Sequence, residues 1–110
     1  MTTQRTQQIA QTILSQLGGS GRLKAFTGAH TFLSLPETDE QLGGLSFRIK
    51  NQASGASNQI KVSLNGKDLY DVEFGRVWGP KYTVKSEHTD VYADQLVSLF
   101  EKETGMYLSF

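Results

Sequence analysis

The chain predicts an α+β fold: a four- to five-stranded, mainly antiparallel sheet with an N-terminal and a C-terminal helix packed on one face. Three observations carry that prediction. Segments between residues 45 and 85 alternate apolar and polar side chains with a period of two, the signature of a sheet covered on one side only. Short turn signals, Asn65-Gly66 and Trp78-Gly79-Pro80, join them, and links of that length favour an antiparallel meander. Two stretches with apolar residues at helical spacing, 4–17 and 91–104, flank the meander.

Each element has its own justification. In 4–17, Ile9, Ala10, Ile13, Leu14 and Leu17 form one apolar stripe on a Gln- and Thr-rich helix. Gly18-Gly19 and Ser20-Gly21 stop it, because glycine adopts the left-handed C-terminal turn at least cost. Residues 22–44 have no clean period. They read as irregular or strand-like, with an extended exit at Leu35-Pro36 and an acidic surface loop around Glu37–Glu40 before Gly43-Gly44. In the meander, Leu45, Phe47 and Ile49; Ile60, Val62 and Leu64; Tyr70, Val72 and Phe74; and Tyr82 and Val84 share the inward register. Residues 51–58 read as a Ser/Gly/Ala/Asn loop. Thr89 or Asp90 is expected to cap the second helix, with Tyr92, Leu96, Leu99 and Phe100 as its stripe and Gly105 as its end. The tail 106–110 alternates Met106, Leu108 and Phe110 with polar partners, as an edge strand or a lid on the core.

At 110 residues the chain is one domain, 1–110. A hydrophobic content of 37% suits a folded globular chain. No apolar run approaches the roughly 18 residues needed to span a bilayer, and the N-terminus lacks the apolar core of a secretory signal. Zero cysteines exclude disulfides, thiolate catalysis and thiolate zinc sites, and fit a reducing compartment. Eleven bases balance eleven acids, yet unevenly: 1–35 is +3, 36–44 is −3, 45–85 is +4 and 86–110 is −4.

No constellation for chemistry stands out. His30 and His88 lie in different elements without local partners, and His88 reads as a solvated loop residue. Asp71 and Glu73 share a face and could hold a hard cation, but cross-strand lysines offer the simpler pairing. The outward face of the sheet is expected to gather Arg48, Lys50, Lys61, Lys81 and Lys85, a basic surface like those of single-strand-binding domains but lacking their outward aromatic rings. Trp78, between Arg76 and Lys81 in a hairpin turn, reads as a contact anchor or as a ring folded over the sheet edge.

Leu17-Gly18-Gly19, Phe26-Thr27-Gly28-Ala29, Leu45-Ser46-Phe47, the segment Asp68 to Gly75, and Val91-Tyr92-Ala93-Asp94 through Glu103-Thr104-Gly105 resemble a group of bacteriophage and prophage proteins of about 100 residues that lack an assigned activity. The resemblance implies a phage-derived protein acting in the bacterial host cytoplasm and implies no catalytic residue. The expectation is therefore a non-enzymatic accessory protein without cofactor or metal, binding a host protein, for example as an inhibitor of host defence. Single-stranded nucleic acid is the alternative partner. Self-association, as a homodimer through an edge strand or the tail, is a third reading.

Overall fold

Period-two alternation builds a sheet of five strands in a computed structural model that describes residues 2–50, 57–106 and 108. The strands β1 (His30–Leu35), β2 (Gly43–Arg48), β3 (Gln59–Leu64), β4 (Tyr70–Trp78) and β5 (Lys81–Val91) lie side by side in sequence order, every neighbouring pair antiparallel. Leu45, Phe47, Ile60, Val62, Tyr70, Val72 and Phe74 are all buried, on one face. Helix α1 (Thr2–Gln16) lays Ala10 and Ile13 against that face, and α3 (Leu96–Thr104) adds Leu96 and Phe100. Phe47 is where the layers meet, with its ring 5.6 Å from Phe32 and 6.3 Å from Phe100 between centroids. No described helix is long and apolar enough to cross a membrane.

The region 22–44 contains more order than its sequence announces. After Gly18 and Gly19, both with positive φ, a second helix α2 (Ser20–Thr27) begins at once, so the glycine cluster separates two helices. Eight residues bury only Leu23 and Thr27, four apart, too short a pattern to register as a period. Gly28, at φ 67°, closes α2, and its N–H reaches the Lys24 carbonyl at 3.0 Å. β1 follows directly, and the acidic residues Glu37, Asp39 and Glu40 occupy the exposed link to β2.

The C-terminal helix starts later than expected. β5 runs through Thr89 and Asp90 to Val91, a 3₁₀ turn covers Ala93–Gln95, and α3 begins only at Leu96. Asp90 does not cap the helix, because it sits in a bulge of β5 at φ 56° with its carboxylate bound to Asn65 and Lys67. The Tyr92 N–H instead donates to the Gln95 side chain at 3.1 Å. The buried stripe is therefore Leu96 and Phe100, whereas Leu99 is half-buried and Tyr92 is exposed. In the tail, Leu108 is buried, its N–H bound to Glu101 at 2.8 Å. The expected loop at 51–56 and the tail positions 107, 109 and 110 lie outside the described residues.

Strand direction gives the sheet two unlike ends. His30, Arg48, Gln59, Gly75 and Val84 form one row across all five strands. Beyond it lie Lys50 and the β4–β5 hairpin, which continues as Arg76–Thr83, Val77–Tyr82 and Trp78–Lys81 pairs past Gln59, the first residue of β3. The opposite end carries the acidic link after β1, Asp68 and Asp71 at the start of β4, Asp90 at the end of β5, and Asp94 beyond it. The charge blocks of the sequence thus become a dipole along the strands, basic at one end and acidic at the other.

Candidate functional site

The projecting β4–β5 arm is built by length mismatch: β4 has 9 residues and β5 has 11, against 6 in β3. Asn58 braces its root, its side chain accepting from the Val77 N–H at 2.8 Å and donating to the Val77 carbonyl at 3.2 Å. Gly79, at φ 58°, and Pro80 make the tip. There Trp78 is 71% exposed, and the Arg76 guanidinium stands 5.7 Å from its ring. Trp78 does not fold over the sheet edge. Residues 75–86 include Arg76, Lys81 and Lys85 and no acid.

The expected basic open face is not what forms. A bulge in β5 between the pairs Phe74–Ser86 and Gly75–Val84 inserts Lys85 and reverses the register of everything before it. Lys81 therefore shares the side of Arg76 and Trp78, and Tyr82 turns outward, not into the core. The open face holds Arg48 and Lys61 against Asp71, Glu73 and Glu87, so acids outnumber bases there. Of the seven residues the sequence singled out, Arg48, Lys50, Arg76, Trp78, Lys81 and Lys85 gather at the basic end of the sheet. Lys61 alone stays mid-face, 3.9 Å from Glu73.

Tyr82 was missed as an outward residue, and its signal was Gly75. A glycine in mid-strand leaves a bare patch that a neighbouring ring can cover, and a Cβ at position 75 would collide with the Tyr82 ring. The Tyr82 hydroxyl donates to Glu73 at 2.5 Å, with Lys61 5.2 Å from the ring centre. Burial, then the Glu73 carboxylate, push this phenol well above its ordinary pKa. Gly75→Ala is expected to swing Tyr82 off the sheet at a cost of about 1 kcal/mol. Its phenol should then ionise at lower pH than in the wild type, which an ultraviolet titration reads directly.

His88 is not a solvated loop residue. It lies on β5 facing the helices, its ring edge-on to Phe74 at 6.1 Å between centroids and its Nε2 3.6 Å from Glu103 of α3. The Ser86 hydroxyl donates to the same Glu103 oxygen. A Ser–His–acid relay needs the imidazole between hydroxyl and carboxylate. Here both face the carboxylate, and the trio straps α3 to β5. His30 is exposed, with Nδ1 2.9 Å from the Thr31 hydroxyl. Asp71 accepts from the Asn65 amide and the Asp90 N–H, and Glu73 from Tyr82, so both carboxylates already have protein partners. Among the described residues no group of three or more His, Asp or Glu side chains is placed to hold a metal ion.

No family model, curated protein or solved structure matches this chain.

Proposed function

We propose that this chain is a non-enzymatic accessory protein of phage or prophage origin that binds a host protein in the bacterial cytoplasm, for example to inhibit a defence function, with the β4–β5 arm as its leading contact. The observation that carries the reading is Trp78, held out at the arm tip at 71% exposure with Arg76 against its ring. A tryptophan buries roughly 150–250 Å² when a partner closes over it. Tryptophan and arginine dominate binding energy at interfaces. The acid-free arm favours an acidic surface on that partner.

Single-stranded nucleic acid is the second reading, because the basic end collects Arg48, Lys50, Arg76, Lys81 and Lys85 around an exposed ring. It is the weaker one. Stacking platforms offer successive free rings, whereas Tyr82 lies over Gly75 under Lys61 and Trp78 already has Arg76 on its ring.

Capture from a bacterial lysate, with and without nuclease, followed by titration of the purified target, tests the proposal. A protein should persist after nuclease. Trp78→Ala should weaken its binding about 30-fold or more, the equivalent of roughly 2 kcal/mol at an interface anchor. Lys102→Ala, on α3 and away from the arm, should change it less than about threefold. If nuclease strips everything, and the pure chain binds random single-stranded DNA with a log–log salt slope near −0.7 per phosphate contact, the protein target is wrong.

A further inference from the structure

The two edges of the sheet are treated very differently by the sequence. β5 has bulges at Lys85 and at Thr89–Asp90 and bears Lys81, Lys85, Glu87, His88 and Asp90. Charges and bulges are how an edge strand is kept from pairing with another chain. β1 has one irregularity, near its start, and from Thr31 to Leu35 no charge at all. Its outer row of backbone groups has no partner among the described residues. Leu33, at mid-strand on the open face, is 58% exposed. The neighbouring helix continues the pattern, with no charged side chain from Thr6 to Gly21.

We infer that β1 pairs antiparallel with β1 of a second copy, giving a two-fold symmetric dimer with one continuous ten-stranded sheet. Charge selects the second copy as the occupant. At the basic end, β1 begins beside Lys24, Arg48 and Lys50, and at the acidic end it runs into Glu37, Asp39 and Glu40. None of these six has an ion-pair partner within 4.0 Å among the described residues.

Antiparallel pairing reverses one copy against the other. The basic end of each then lies beside the acidic link of its partner, twice over, as an isologous contact requires. Parallel pairing would set like charges together. The Leu33 side chains meet near the axis on the open face, and the groove between α1 and β1, lined by Gln7, Gln11, Leu14 and Phe32, closes against its own copy. Both arms stay free, three strands away from the junction in each copy.

Light-scattering mass across a concentration series tests the dimer. Twice the chain mass of 12.2 kDa is expected, falling towards the monomer as salt rises. Leu33→Lys should raise the dimer dissociation constant at least about tenfold while the circular dichroism spectrum of the folded chain stays unchanged, since the side chain is exposed. Val84→Lys on the β5 edge should leave it unchanged. Glu37→Lys with Glu40→Lys should weaken the dimer, and adding Lys24→Glu with Lys50→Glu should restore it. A monomer up to about 1 mM overturns the inference. So does a dimer that responds to Val84→Lys and not to Leu33→Lys, or one that reversed charges on both sides fail to rescue.

Discussion

Phe100→Ala is expected to lower stability by about 3–5 kcal/mol and the melting temperature by about 15–30 °C. Phe100 is 2% exposed and fills the space between α3 and the sheet, its ring 6.3 Å from Phe47, which in turn stacks on Phe32. Truncation leaves a cavity that α3 cannot close. The hydrogen bond from Ser86 to Glu103, the 3.6 Å approach of His88 to the same carboxylate and the buried Leu96 fix its height above β5. The loss is a large share of the roughly 5–15 kcal/mol that holds a domain of this kind together. Leu99→Ala, one position away and half-buried, should cost only about 1 kcal/mol. Equal losses at 99 and 100 in a thermal melt would mean that α3 is rotated from the position described.

That contrast also shows how far the sequence could be read. Wherever the period held for five or more residues, as in β2 to β4 and α1, the element and its inward face were legible from alternation alone. The α3 stripe was misjudged because Tyr92 to Phe100 fits helical spacing, yet the chain stays extended to Val91 and turns once before the helix begins. α2 was invisible since eight residues between glycines bury only two side chains. The site failed for a related reason. Lys81 and Lys85 were placed by parity, and one inserted residue in β5 inverts parity for the whole arm. A bulge has no period to detect, although Gly75, bare in mid-strand opposite Val84, was a legible trace of it. The grouping of bases at one end of the sheet required the order of strands, which the short turns already implied.

Asn65→Asp is expected to be the second most damaging change, costing about 2–4 kcal/mol at neutral pH while altering a single atom. Asn65 is 9% exposed and fully employed. Its amide nitrogen donates to Asp71 and Asp90, both at 3.0 Å, and its oxygen accepts from the Lys67 and Leu69 N–H groups at 2.9 and 3.2 Å. These bonds, not Gly66, shape the turn, for the left-handed residue in it is Asp68 at φ 64°. A carboxylate at 65 keeps the two acceptor bonds, turns both donor bonds into contacts between anions, and leaves Lys67 as the one nearby cation bonded to Asp90. The sign of the pH response follows. A cluster of three carboxylates takes up a proton more readily folded than unfolded, so the variant should regain stability as pH falls from 7 towards 5. Asn65→Ala removes the same donors without adding charge. It should lose about 2 kcal/mol with little change over that range. Denaturant melts of both variants at pH 7 and pH 5 separate the two effects. A flat response in Asn65→Asp would mean that Asp71 and Asp90 do not close on position 65.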